Sequence, residues 1–286
     1  MGVLKRLNSW IPSFRSSRSL STPTLLVGLL GYYGALFFTI LLLISPIVIV
    51  VGISLNSGTT EQFPPDGISL RWYAEFFQHG TFFDSFFFVS LPIAVITGLL
   101  ATAIGVITAY ALVRHDIPYE SMVHSTILAP IVVPAVILGL ALMLFFARFG
   151  LEWPFGNLVA GHTLRTIPYT TLIAIVSLST VDKDLELAAR NLGATKLQAF
   201  RKVTLPLMKS GLIAGFLMAF VISFADVQIA LFLSSGKTLT LPVAMFLFLV
   251  YDTSPIIAAV GTLQILLVLI LMLIIGRLVG FDTIVR

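Results

Sequence analysis

Residues 184–207 read DLELAARNLGATKLQAFRKVTLPL. This charged, amphipathic stretch lies between two hydrophobic runs in a chain otherwise apolar enough for lipid. The contrast is set by composition. Of 286 residues, 58% are hydrophobic and 10% are charged, whereas a soluble domain carries about 25% charged residues. Phe alone occurs 23 times. Such a chain falls in the membrane class. It has no cysteine, which rules out a disulfide framework and a thiolate metal site. A formal charge of +4 points to no nucleic-acid partner, and its distribution matters more than its size.

A helix needs roughly 20 mostly apolar residues to cross the hydrocarbon core. Six stretches qualify: 25–55, 86–113, 122–146, 157–178, 212–233 and 256–278. Open strands leave their backbone unsatisfied in lipid, so all six are helix candidates. The expected fold is all-α and polytopic, with six transmembrane helices. An arm over 1–24 precedes a transmembrane domain over 25–286. The first run exceeds the roughly 7–15 apolar residues of a cleaved leader and is expected to stay as a span.

Six spans put both termini on one side, and Lys and Arg set which side. Lys5, Arg6, Arg15 and Arg18 lie in the arm, and Arg114 follows the second span. Lys183, Arg190, Lys196, Arg201, Lys202 and Lys209 follow the fourth, and Arg277 and Arg286 lie in the tail. These make 13 of the 17 basic residues. The opposite loops hold Arg71, Arg148 and Lys237, while Arg165 lies inside a span. Both termini and the 180–208 segment are therefore expected in the cytoplasm. On the other side, ISLRWYAEFF (68–77) reads as a short interfacial helix anchored in lipid by Trp72 and Tyr73.

The quoted segment divides at Gly193. Asp182 is a candidate N-cap, Asp184 and Glu186 sit at the positive end of a helix, and Arg190 at its negative end. Gly193 supplies the stop, because a residue just past a helix usually turns left-handed. Thr195 restarts a helix, with Gln198 completing a capping box. Leu197, Phe200 and Val203 share one face. Leu205-Pro206 is expected to end it. One reading is a helix resting on lipid headgroups. The small residues Ala188, Ala189 and Ala194 weigh against it, because such a helix wants a bulky apolar face.

LAARNLGA followed by VTLPL resembles the cytoplasmic EAA loop of ABC-importer permeases: Glu-Ala-Ala, three residues, Gly, then a Leu-Pro further on. Ala188, Ala189, Gly193, Leu205 and Pro206 match. The family's Glu falls on Leu187, with Glu186 one residue earlier, a rotation of about 100° on a helix. ILAPIVVPAVILGLAL (127–142), GHTLRTIPY (161–169) and SFADVQIALFLSSGKTLTLPVAMF (223–246) are similar to the spermidine/putrescine branch. The similarity covers residues 68–286.

The resemblance implies a type I importer permease in the plasma (inner) membrane of a prokaryote. Its first span resembles an arm that wraps a partner permease, and its elbow over 182–206 is a coupling helix. Glu186, Ala188, Ala189, Gly193, Ala194, Thr195, Leu205 and Pro206 are the implied coupling residues. The implied partners are a cytoplasmic ABC ATPase dimer, a second and different permease chain, an extracytoplasmic solute-binding protein and membrane lipid. ATP and Mg belong to the ATPase, and this chain carries no cofactor, metal or catalytic residue of its own. The solute implied is a polyamine-like cation. That branch commonly has two neighbouring acids where this chain reads Ala225-Asp226, which leaves phosphonate, ferric ion or another small solute open. Another class remains, an ATP-independent secondary transporter or channel subunit, to which the elbow would be superfluous.

Other constellations carry less. SSGKT (234–238) lacks the first glycine of a phosphate loop, since Leu231 stands there. His79, His115, His124 and His162 show no metal spacing and read as loop or interfacial residues. There is no G-x-S-x-G elbow. Two charges fall within spans, Arg165 and Asp226, at similar depth. Such ions face a protein interior or a water-filled path. They are read as an ion pair, as Asp226 serving a cationic solute on the substrate path with Arg165, Ser223 and Gln228, or as Arg165 snorkelling outward. Ser223, Gln228 and Gln264 also read as helix–helix hydrogen bonders. Pro130, Pro134 and Pro168 mark kinks that could widen a cavity.

Overall fold

The computed structural model describes residues 22–236 and 238–279. Lys5, Arg6, Arg15, Arg18, Lys237 and Arg286 lie outside them. The described residues are helical, with two isolated β-bridges, Asn56 with Ile68 and Ser235 with Thr238. The chain divides into two units, Met1–Ile49 and Val50–Arg286. Helix α1 (Thr22–Ser54) supplies the described part of the first. From Leu29 to Ile49 its large side chains are exposed all round. That is the pattern of a helix whose solvent is lipid or another membrane helix.

The second unit holds α2 (Arg71–Gln78), α3 (Gly80–Arg114), α4 (Glu120–Val132) and α5 (Ala135–Arg148). It continues with α6 (Pro154–Ser179) and α7 (Lys183–Asn191). Then come α8 (Lys196–Leu207), α9 (Lys209–Phe224), α10 (Ala230–Leu233), α11 (Leu241–Tyr251) and α12 (Ile256–Val279). Each of the six hydrophobic stretches contains helix. Leu29–Ser54, Gly80–Arg114 and Ile256–Ile274 are long and apolar enough alone to cross a membrane.

The third and fifth stretches are not single helices. The third breaks at Val133-Pro134, and α4 and α5 meet at 101°. Val133 is extended, as a residue before proline prefers. Helix α6, by contrast, runs through Pro168. The fifth stops at Phe224 and resumes only as the short α10. Helix α11 is apolar but 11 residues long, too short to span. It falls between the fifth and sixth expected spans, in what the sequence suggests is an external loop. Ser90 holds its start, its hydroxyl accepting from the Leu241 amide at 2.7 Å.

Helices α3, α6 and α9 pack on one another to form the centre. Small residues permit the closeness: Ala101, Gly105 and Ala109 share one face of α3, and both alanines are fully buried. Thr170 on α6 donates to the Ala101 carbonyl at 2.7 Å. A Cβ on Gly105 would sit 2.5 Å from the Thr170 hydroxyl and 2.8 Å from the Thr171 amide nitrogen. Backbone cannot swing aside, so Gly105→Ala is expected to cost about 1–3 kcal/mol. It should visibly lower the thermal midpoint of the purified chain in detergent. Gly34→Ala, where a Cβ meets nothing within 4 Å, should leave the midpoint unchanged.

Several phenylalanines cluster at one end of this centre. Phe86 meets Phe224 edge-on at 5.5 Å, and Phe224 stacks on Phe220 at 5.5 Å. Phe76 of α2 joins them through Phe86 at 5.8 Å. The short helix expected within 68–77 is present over Arg71–Gln78, but its anchors are internal. Trp72 is buried and its indole N–H donates to the Asn56 carbonyl at 2.8 Å. Tyr73 shares a 2.7 Å hydrogen bond with Ser54. The polar tips found protein partners, so neither ring is the lipid anchor the sequence suggested.

Candidate functional site

Helix α9 has 16 residues, about 24 Å at 1.5 Å per residue. One end meets the elbow and the other ends at Ala225-Asp226. The two places singled out by sequence are the two ends of one central helix.

At the elbow, local rules hold. The Asp182 carboxylate accepts from the Asp184 amide at 3.0 Å, capping α7. Gly193 has φ +93°. The Ala194 amide reaches back to the Ala189 carbonyl at 3.1 Å and the Gly193 amide to Arg190 at 3.0 Å, closing the helix around a left-handed residue. Thr195 and Gln198 form the reciprocal capping box, at 3.2 and 2.9 Å. Helix α8, however, continues through Leu205-Pro206 to Leu207, then bends 74° into α9. A π-helical turn over Phe200–Thr204 precedes Pro206. That wider turn shifts the carbonyl the proline ring would otherwise strike.

The orientation of α7 differs from a purely outward docking face. Glu186 is buried. It accepts from the Tyr110 hydroxyl at 3.0 Å and from Arg114 Nε at 3.0 Å. A second Arg114 nitrogen donates to the Val181 carbonyl at 2.7 Å. So Glu186 turns inward and ties the elbow to the end of α3. Leu187, where the family Glu falls, is half exposed, and Ala188 and Gly193 are open. Leu185, Leu187, Leu192 and Leu197 are each exposed at the elbow, Leu192 to 90%. If Glu186 and Arg114 act as one strut, Glu186→Ala and Arg114→Ala should not be additive. A double-mutant cycle on thermal stability is expected to show about 2 kcal/mol of coupling. Trypsin should cut either variant faster at the elbow.

At the far end, Asp226 is a knot. One carboxylate oxygen pairs with the Arg165 guanidinium. The other accepts from the Ile229 and Ala230 amides at 2.8 and 3.0 Å, capping α10. His162 Nε2 lies 3.6 Å from that same oxygen, and its Nδ1 is 2.8 Å from the Ser223 hydroxyl. The Asp226 side chain is 1% exposed. Of the three readings of these charges, the geometry matches the ion pair, and Arg165 does not snorkel. Ser223 bonds across helices, as does Gln264, which donates to the Phe224 carbonyl at 3.2 Å. Gln228 and Ala225 are exposed at the break. His162, read from sequence as a loop or interfacial residue, is buried at the knot. Nothing local could place it there. Its hydrogen-bond partner Ser223 lies 61 residues on, and those of Glu186 lie 72 and 76 residues back.

Comparison with known proteins adds to this geometry. Residues 101–283 match the model of a family described as "Binding-protein-dependent transport system inner membrane component". The chain is 32% identical over 228 residues to the "Putrescine transport system permease protein PotI" of Escherichia coli K12, covering 77% of this chain and 80% of that one. It is 29% identical over 226 residues to the "Spermidine/putrescine transport system permease protein PotC" of Haemophilus influenzae, covering 79% and 87%. Among solved structures, a chain of a bacterial ABC transporter involved in importing the acidic polysaccharide alginate superposes with a TM-score of 0.66. It is 17% identical, and the match covers 90% of this chain and 98% of that one. That likeness speaks to fold.

Proposed function

The chain belongs to the family of binding-protein-dependent transport system inner membrane components, and on that premise we propose that it forms half of a membrane path for a polyamine-like cation. It is a multi-pass membrane permease subunit of an ABC importer, served by a binding protein. A cytoplasmic ATPase dimer grips its elbow, a second permease chain completes the path, and ATP and Mg stay on the ATPase. Both termini and the elbow face the cytoplasm, in keeping with the Lys and Arg distribution. The observation that carries the reading is the elbow, a capped, glycine-turned segment with Leu192 exposed at its tip, on a chain that otherwise suits lipid. Closure of the ATPase pushes the elbow. The push passes through α8 into α9, and through Glu186 and Arg114 into α3. It arrives at the Asp226 break, where Gln228 and Ala225 face outward and Arg165, Ser223 and Asp226 hold the helix end. The polyamine preference draws on the relatives' names.

The test is mass spectrometry of what co-purifies with the chain, gently extracted from its native membrane, followed by putrescine and spermidine titration of any recovered binding protein. An ATPase, a second permease and a polyamine-binding protein are expected. Reproducible recovery of the folded chain alone would overturn the importer reading. A recovered binding protein indifferent to polyamines would overturn only the solute.

A further inference from the structure

Beyond coupling and transport, the elbow end carries two adjoining cavities. One, of about 260 Å³, lies between the end of α3 and the elbow, and Arg114, Lys183, Arg190 and Lys196 face it. Its single carboxylate, Glu186, is already taken by Tyr110 and Arg114. Lys183, Arg190 and Lys196 have no carboxylate within salt-bridge distance among the described residues. Asp182 and Asp184 are close in sequence but do not line it. The other cavity, of about 270 Å³, is mainly apolar, with Ile107, Leu197 and Phe200 in its wall. The two share Tyr110, His115 and Lys196, so cationic space runs directly into apolar space. From there the wall continues onto the exposed face of α3, where Ile107 is 67% exposed.

We propose that this pair of cavities binds one anionic phospholipid, its phosphate held by Lys183, Arg190 and Lys196 and an acyl chain lying along Ile107, Leu197 and Phe200. The charge excess selects an anion, and basic pockets at the ends of membrane helices suit such headgroups. The apolar extension selects a lipid over a free phosphate. The height agrees: Arg114 ends one long membrane helix, and Lys183 follows another within four residues of its last residue, Ser179. Leu192 and Gly193 line neither cavity, so a lipid here leaves the tip of the elbow open to a protein partner. The inference rests on the chain spanning a membrane and is independent of the solute.

The experiment is native mass spectrometry of the full-length chain, delipidated in mild detergent and titrated with phosphatidylglycerol or phosphatidylcholine. The chain is expected to prefer phosphatidylglycerol on the order of tenfold or more. Lys183→Gln, Arg190→Gln and Lys196→Gln together should abolish the preference, and Lys196→Gln alone, an exposed change, should weaken it. Leu197→Gln should weaken lipid binding while leaving any binding of inorganic phosphate unaffected. An undiminished preference in the triple variant would overturn the site. Should glycerophosphate or inorganic phosphate bind as tightly as the lipid, the site would be one for a free phosphate, and the lipid assignment would fail. ATPase and solute are absent from this measurement, so failure of the importer reading would show separately, in co-purification.

Discussion

Asp226→Ala is expected to lose most of the folded chain. Removing one partner of a buried ion pair leaves the other uncompensated, at about 3–5 kcal/mol. Arg165 keeps 25% of its side chain exposed, which points to the lower end. The same substitution strips the cap from α10, because the Ile229 and Ala230 amides lose their acceptor. A single residue therefore serves two structural roles, and the conservative variants separate them. Asp226→Asn keeps an oxygen for both amides but sets an NH2, itself a donor, against the guanidinium, so it should be milder than alanine only by the cap it retains. Combining it with Arg165→Gln should recover most of the remaining loss. The reversed pair, Arg165→Asp with Asp226→Arg, should not recover, because arginine cannot accept the two amides. Heat survival of the monodisperse chain in detergent measures all four. Uptake supplies the independent check. Asp226→Asn is expected to leave the solute KM unchanged while lowering the amount of protein. A raised KM at normal abundance would place the carboxylate on the solute path.

The elbow and the knot were legible to different degrees, for physical reasons. Most of the elbow that depends on neighbours within a few residues could be read: the Asp182 cap, the Thr195–Gln198 box, the left-handed Gly193; the stop expected at Leu205-Pro206 was not there, because a π-helical turn lets α8 run on to Leu207. Glu186 could not be read. Its placement on a helix follows from sequence, but the face it presents depends on where α3 passes, and Tyr110 and Arg114 lie far away along the chain. The knot had a signal, two charges in apolar runs at similar depth, because burying either one alone is expensive. His162 gave no such signal, since a neutral imidazole costs little to bury beside a hydroxyl. Hydropathy found where helix lies but not where it breaks. Val133-Pro134 and Ala225-Asp226 interrupt runs that a window averages over, and α11 was hidden by its brevity. Trp72 and Tyr73 were placed in the right helix with the wrong partners. An amphipathic ring satisfies its polar tip equally well at a membrane interface or on a backbone carbonyl.

Gly193→Val is expected to abolish coupled uptake while leaving the chain folded in the membrane. The argument lies in what surrounds the glycine. A Cβ there meets nothing within 4 Å, yet φ is +93°, so the whole penalty is conformational. A β-branched residue is a genuine outlier at positive φ, and the cost of forcing it, of order 1–2 kcal/mol, is relieved more cheaply by opening the turn. Opening breaks the Ala194-to-Ala189 and Gly193-to-Arg190 bonds and re-aims α7 against α8. Glu186 and Arg114 still hold α7 to α3, and the centre of α3, α6 and α9 is untouched, so the protein survives. What would be lost is the fixed placement of Leu192 and Ala194 at the tip of the elbow, where the proposed ATPase would close. ATP hydrolysis by the assembled complex should then run without uptake, or not be stimulated at all. Gly193→Asn, which tolerates a left-handed turn, should restore much of the transport, and Gly193→Ala should fall between. Normal coupled uptake in the valine variant would mean that the turn is incidental and that force enters the membrane helices elsewhere.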